Sequence, residues 1–531
     1  MRMQIRRIGG ALCFLVCVTA AAFGQLYTGS ITGTVKDPTG AVVPNANVTI
    51  TDVGKGFNYT ATTDNGGIFT VKNLPPATYK ERVEAPGFTP FERNNIVVEV
   101  NSNVEASTSL ELVSTGQTVT VSETGASQLQ TEDATTGQTI NRTLINNLPL
   151  ISRQVFDLAY LSPGVSQPPG QTYGSAGGGI GNNFVSNGGR NAQADILIDG
   201  ISSTTYEQNT GFVTPLYTPS VEAVQEFRIQ QSNFSAEIGF SSGTVVNLVT
   251  RSGTNDIHGT LYDFLRNTDL NANSFFNNRA GQPRTSYQRN NFGGTVGGPI
   301  LKNKLFYFFD YDGTREISPA AGTFGVPSAA ERTGNFGELC GNVGGTFNAA
   351  GQCSIAAGQI WDPYSAVQNN TYGNGGLRQA FIPFNNMATY ASPGNPIAPF
   401  ITPNVPGNLI NPITQKVMSY FPLPNVGGTP GTTSYNPYSN YYATGKNVNN
   451  SNQYDIKLDS RFTDNDQLSV RFSQQWGNSL GANLFGNALD ANTQGPNTSL
   501  TYSGAVNYTH IFSPKTLLTA TVGYDHNWAN T

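Results

Sequence analysis

The chain has 531 residues with a formal charge of -5, 12% charged and 11% aromatic residues, 59 Gly and 30 Pro. That length exceeds one ordinary domain, and the balance disfavours helical bundles while suiting many strands joined by turns. A pI near 5.4 with no basic block leaves nothing to track phosphates, so nucleic acid is not an expected partner.

The first element is an export signal, residues 1–24. Arg2, Arg6 and Arg7 precede an apolar run from Ile8 to Phe23, and Ala22-Phe23-Gly24 gives a small-x-small cleavage site before Gln25. Leu12 and Val16 precede Cys13 and Cys17, where a lipoprotein site needs a small residue. Cleavage removes the three arginines, which brings the formal charge to about -8. It also leaves Cys340 and Cys353 as the remaining cysteines, and in an oxidising compartment these are expected to form a disulfide. A zinc site needs more ligands than two Cys and the scattered His258, His510 and His526 supply.

Over residues 25–113, short β-prone runs recur at Ile31–Lys36, Ala46–Thr51, Tyr59–Thr62, Ile68–Val71, Tyr79–Ala85, Ile96–Val100 and Ala106–Leu112. Asp37-Pro38-Thr39-Gly40, Asp64-Asn65-Gly66-Gly67 and Pro75-Pro76 punctuate them with turn residues. The spacing predicts a β-sandwich. The phrases G-T-V-K-D-P-T-G-A-V-V-P-N-A-N-V-T-I, T-D-N-G-G-I-F-T-V-K-N-L-P-P-A-T-Y and A-P-G-F resemble the carboxypeptidase regulatory-like domain, a transthyretin-like sandwich. The segment holds no His and no H-x-x-E or H-E-x-x-H, so it has nothing to hold a catalytic metal.

Residues 114–139 are a polar linker containing Thr118, Val119, Thr120 and Val121. This alternation suits an edge strand offered for β-augmentation, and an extended linker is the plainer reading. The segment resembles the coupling box by which the energy transducer TonB grasps outer-membrane receptors.

Residues 140–253 read as one mixed unit. Helical spacing covers Thr143–Asn147 and Arg153–Leu161, apolar β runs cover Asp195–Gly200 and Thr244–Thr250, and Val221–Phe227 is a predicted helix between them. L-P-L-I-S-R-Q-V-F-D-L-A-Y-L-S-P-G-V, N-G-G-R-N-A-Q-A-D-I-L-I-D-G and the stretch Val221–Asn267 resemble the plug domain of TonB-dependent receptors, in their Oar-like subgroup. The resemblance places Gly189, Arg190, Asp199 and Gly200 in the plug motif. Gly177–Gly181 follows no strand and opens no helix, so it reads as a loop and not a phosphate cradle. Asp195 and Asp199 share one strand face, yet without a pocket or partner acid they read as a strand end and a turn cap. Arg190 has two candidate partners, such a carboxylate or the barrel wall.

From residue 254 the period is two. Tyr454, Ile456, Leu458 and Phe462 share one face, with Gln453, Asp455, Lys457, Asp459 and Arg461 on the other. Similar alternation marks Leu468–Trp476, Leu500–Phe512 and Leu518–Trp528, and three further runs, Leu261–Arg266, Asn291–Val296 and Leu305–Tyr311, bring the total to about seven strands of bilayer-crossing length. Short and long links alternate, as periplasmic turns and extracellular loops do. The longest, 313–449, carries Cys340 and Cys353 and is assigned to the outer mouth. Plugged transporters use roughly 22 strands, so the sequence reads as a C-terminally truncated receptor.

The expected fold is mainly β: a transthyretin-like sandwich, a mixed α/β plug domain, then part of an antiparallel transmembrane β-barrel. The resemblance implies active uptake of a large or scarce nutrient, with TonB and the inner-membrane proton gradient as the energy source. Outer-membrane lipid and an unidentified extracellular ligand are the other expected partners. The alternative is a surface-exposed adhesion or glycan- or protein-binding protein without transport. No catalytic group, cofactor or metal is expected.

Overall fold

The computed structural model describes residues 27–530 apart from 114–118, 123–134, 167–183, 190–193, 205–214, 235–240, 242, 280, 282–283, 369–375, 393–408, 490–494 and 514–515. The export signal, Thr118, the glycine run 177–181 and Arg190 lie outside the described residues.

The N-terminal unit is a two-sheet sandwich. Its strands are β1 (Gly29–Lys36), β2 (Asn47–Asp52), β3 (Asn58–Thr62), β4 (Ile68–Leu74), β5 (Ala77–Glu84), β6 (Phe91–Val98), β7 (Asn103–Glu105), β8 (Thr108–Ser109) and β9 (Val119–Ser122). One sheet runs β4-β1-β7 with β8 also on β1, and the other runs β3-β2-β5-β6-β9. Inward residues such as Ile31, Ile50, Tyr79 and Ile96 are fully buried between them. The Asp37 carboxylate accepts from the amides of Thr39 and Ala41 at 2.8 and 2.9 Å, which fixes the D-P-T-G turn. The run expected as one strand over Ala106–Leu112 holds only the two-residue β8, and β7 lies just before it; both are parallel to β1. A Cβ on Gly33 would stand 2.5 Å from the Ala106 carbonyl oxygen, so this glycine admits the crossing chain.

The middle unit comprises β10 (Thr136–Asn141), helix α1 (Arg142–Asn147), a 3₁₀ segment at Val155–Leu161, and the strands β11 (Val165–Ser166), β12 (Val185–Ser186), β13 (Ala194–Ile198), β14 (Ile201–Ser202), β15 (Val224–Ser232) and β16 (Thr244–Thr250). The main sheet is β10-β15-β16-β13-β14. The helix predicted at Val221–Phe227 is a correction: Ser220 caps a single 3₁₀ turn, Val221–Ala223, and the chain then enters β15. Val221, Val224 and Phe227 recur every three residues as on a helix face. In fact β15 is a central strand buried on both faces, and its own period is two, with Phe227 and Ile229 in the core of the middle unit and Glu226, Arg228 and Gln230 on the opposite face. The domain boundary placed at 139/140 falls inside β10. That strand lies so close to β15 that a Cβ on Gly137 would meet the Ile229 carbonyl oxygen at 2.1 Å.

The remainder is a seven-stranded antiparallel meander of β17 (His258–Asn267), β18 (Gln288–Leu301), β19 (Leu305–Phe324), β22 (Tyr441–Arg461), β23 (Asp466–Leu480), β24 (Pro496–Ser513) and β25 (Thr516–Asn530). The small hairpin β20 (Ala366–Gln368) with β21 (Gly376–Arg378) stands in its longest loop. Each of the seven expected runs falls on one of these strands, with Phe462 just beyond the end of β22. The sheet is an open wall whose edges are β17 and β25. The longest link is 325–440, not 313–449, because β19 and β22 stay paired from Leu305 with Ser460 up to Phe324 with Tyr441. Their upper segments lack apolar alternation, so the sequence reads there as loop. Within the link Cys340 and Cys353 form a disulfide, with Cα atoms 5.8 Å apart.

Candidate functional site at the inner face of the wall

Alternation along the wall strands puts polar groups inward and apolar groups outward. On β22, Gln453, Asp455, Lys457, Asp459 and Arg461 are buried while Tyr454, Ile456 and Leu458 are exposed. On the outward face of β25, Val522 is 68% exposed, as a lipid-facing side chain is when only protein covers it. Among the described residues no helix is long and apolar enough to cross a membrane. No group of three or more His, Cys, Asp and Glu there could hold a metal ion.

The middle unit sits against this polar face, and Asp199 is the centre of the contact. It ends β13 in a left-handed turn (φ 49°) and Gly200 follows at φ 82°, which aims the carboxylate away from its own strand. The Thr250 amide and hydroxyl donate to it at 3.0 and 2.6 Å. Lys457 lies 3.1 Å and Arg471 3.0 Å from its oxygens, so two wall cations meet one 1% exposed side chain. Burial alone would raise this carboxyl. Lys457 and Arg471, helped by the Thr250 donors, overcome that and hold it below its ordinary value. The remaining donors are also used: Lys457 donates to the Thr250 carbonyl and hydroxyl, both at 3.1 Å, and Arg471 to Ser473 at 2.8 Å and Ser503 at 3.1 Å.

Around this centre, hydroxyls of the middle unit meet carboxylates of the wall. The Tyr217 hydroxyl donates to Asp455 and accepts from the Gln453 amide at 2.6 Å. Ser220 donates to Asp310 at 2.7 Å while capping its own turn, and Ser252 donates to Asp459. Glu222 pairs with Arg142 and Arg153, and although burial opposes ionisation these two guanidinium groups hold it below its ordinary value. Arg153 also lies over the Phe264 ring of β17 at 4.0 Å, and Arg251 over Phe308 of β19 at 5.0 Å.

Of the residues singled out from sequence, Asp199 and Gly200 lie in this seam. Gly189 closes a turn by donating to the Ser186 carbonyl at 2.8 Å. Asp195 stands apart from Asp199: it accepts from Ser202 and Thr204 at 2.7 and 2.9 Å across the β13–β14 hairpin, so the two acids form no carboxylate pair. Val119, Thr120 and Val121 lie in β9, paired in parallel with Phe91–Asn94 at the edge of the sandwich sheet. Sequence reasoning missed Tyr217, Ser220, Glu222, Arg142 and Ser252, for which the chain carries no local signal. Asp199 with Gly200 and the inward face of β22 were the pointers to the seam.

Beside the seam, the sandwich, the middle unit and the wall together line a partly open chamber of about 390 Å³, with Asn73, Gln225, Ser252, Lys457, Asp459 and Thr509 among its lining residues.

Residues 30–111 match the family described as carboxypeptidase regulatory-like domain, and residues 249–531 match that described as outer membrane beta barrel domain. The TonB-dependent transporter Oar of Myxococcus xanthus is 27% identical over 319 residues, covering 57% of this chain and 28% of that protein. The chain therefore spans well under half the length of this curated relative. Similar solved structures include the siderophore receptor PirA from Acinetobacter baumannii (14% identity, TM-score 0.38, 74% of this chain and 40% of that one). Another is the outer membrane transporter YddB from Escherichia coli (12% identity, TM-score 0.40, 73% of this chain and 38% of that one).

Proposed function

We propose, from the premise that this chain belongs to the outer membrane beta barrel domain family, that it is part of a TonB-dependent receptor taking up a large or scarce nutrient across the Gram-negative outer membrane. The observation that carries the reading is the buried ionic seam around Asp199. A permanent seal gains more from apolar packing than from ions, because desolvating charges offsets most of their attraction. A seam of charges and hydroxyls has one well-defined closed state and hydrates readily when it parts, which suits a plug that must leave and return.

The rest of the reading follows from orientation. The short links 302–304 and 462–465, and the two-residue gap between Ser513 and Thr516, are assigned to the periplasmic end, and the long links 268–287, 325–440 and 481–495 to the outer mouth where ligand is met. Thr118–Val121 is assigned as the coupling box. Strand β9 is terminal in its sheet, and its outer edge is a template for a strand of TonB, which draws on the inner-membrane proton gradient. Unpaired edges are not tolerated in hydrocarbon, so β17 and β25 are assigned partners in a closed wall of roughly 22 strands, of which this sheet is one arc.

The test compares solutes cleared from culture medium by cells producing the complete receptor and by cells in which Gln117–Glu123 is deleted. Clearance that stops with the deletion or a protonophore, while cell-surface binding persists, is the expected result. Clearance unaffected by either treatment sinks energised transport, and binding without any clearance favours adhesion.

A further inference from the structure

We infer that the N-terminal sandwich is a second closure of the channel: a stopper seated on the wall at the short-turn end, beneath the plug, that must be displaced before solute passes. The inference rests on the transport reading above.

The sandwich is seated on four successive wall strands. Phe306 of β19 is fully buried within the hydrophobic core of the sandwich, its ring 5.7 Å from that of Phe57. From β22, Asp459 pairs with Lys55 at 3.4 Å and Arg461 lies over the Tyr59 ring at 4.8 Å. From β23, the Gln467 amide donates to the Tyr59 hydroxyl at 2.5 Å. On β24, Thr509 accepts from the Asn73 amide at 2.6 Å. All these wall residues lie beside the short turns, so the contact follows the rim. The plug closes the other side, where Glu226 accepts from the Val100 amide at 2.8 Å and Arg228 donates to the Val100 carbonyl.

A domain merely tethered near the membrane has no reason to take a wall phenylalanine into its own core. Apart from that ring, the seat is polar and suited to release. Two residues that line the space beneath the plug, Asn507 and Thr519, carry a side-chain amide oxygen and a hydroxyl without hydrogen-bond partners. Because β9 is the fifth strand of the sandwich's own sheet, a pull on it bears on the stopper before it bears on the plug.

Thr509→Cys in the complete receptor, 7% exposed beneath Asn73, reports the seat through labelling by an inner-membrane-impermeant maleimide in living cells. Gln467→Cys, beneath Tyr59, is read in parallel so that the result does not hang on one substitution. Labelling is expected to be at least tenfold faster in energised cells than after a protonophore. A lock is available: a Cβ built on Gly54 stands 3.8 Å from that of Thr254, the usual disulfide separation, and Gly54→Cys with Thr254→Cys should abolish the difference. Fast labelling in both states, or equally slow labelling in both, overturns the stopper. Ser220→Cys, in the plug seam, separates the two readings. If it responds to energisation while Thr509→Cys does not, the stopper falls and transport stands; if neither responds, both fall.

Discussion

Asp199 shows how much one residue's role depends on partners far along the chain. The sequence marks it as a turn cap before Gly200, and its backbone agrees. Its main partner, Lys457, is 258 residues away, and strand alternation says that Lys457 faces inward without saying which plug residue it meets. Asp199→Asn would leave Lys457 and Arg471 buried without their counter-charge, and a loss of about 3–5 kcal/mol in denaturant unfolding is expected. Joint replacement of all three by leucine or methionine should recover most of that loss. The depressed carboxyl contributes stability above its ordinary value of 3.8, and that contribution is lost as pH falls through its lower folded value. Glu226 has the opposite sign. Burial, against the Val100 amide it accepts from, pushes it from 4.5 up to about 8, with Glu99 raising and Arg228 lowering it further. Its contribution is complete below 4.5 and lost as pH rises through about 8. Glu226→Gln, which keeps the neutral shape, should therefore flatten that part of the stability–pH curve. Curves that run parallel for the two proteins across this window would refute a protonated Glu226.

At the scale of elements, legibility tracked environment. The wall strands were readable because one face meets lipid and the other meets charge, which writes period two into Tyr454–Arg461 and its neighbours. Val221–Phe227 was misread as a helix because Val221, Val224 and Phe227 keep a three-residue spacing across the start of β15, although Glu226, Arg228 and Gln230 alternate with Phe227 and Ile229 further along the strand. The turn from plug to wall was legible as R-S-G-T-N, and the structure supplies its steric reason: a Cβ on Gly253 would stand 2.3 Å from the Tyr307 carbonyl oxygen and 2.6 Å from that of Gly298. Backbone cannot yield as a flexible side chain does. Gly253→Ala is expected to cost about 1–3 kcal/mol, and to admit protease between Arg251 and Asp256 where the parent resists. Unchanged cleavage would mean that the connector is not held against the wall.

For the whole molecule, sequence order became spatial order along one axis: sandwich at the short-turn end, plug within, long links at the far end. What composition and spacing could not convey was that the first unit returns to rest on strands more than 200 residues later, since contacts such as Asn73 with Thr509 leave no local trace. If both closures operate, they act in series, and pinning either one suffices to stop flow. The ladder of β19 and β22 carries a further consequence. A tilted strand crosses the hydrocarbon in about ten residues, yet β19 has 20, and it loses its β18 neighbour above Ile317. Above it only Ser318–Phe324 and Tyr441–Asn447 remain paired, seven residues that at roughly 3.3 Å each make a two-stranded mast about 23 Å long. Near its top, Phe324, Phe421 and Tyr441 gather around Phe485 with ring centroids 5.4–5.8 Å apart, a rigid aromatic collar. The disulfide-bearing loop, which hangs between the two strands of this mast, is thereby set apart from the rest of the wall.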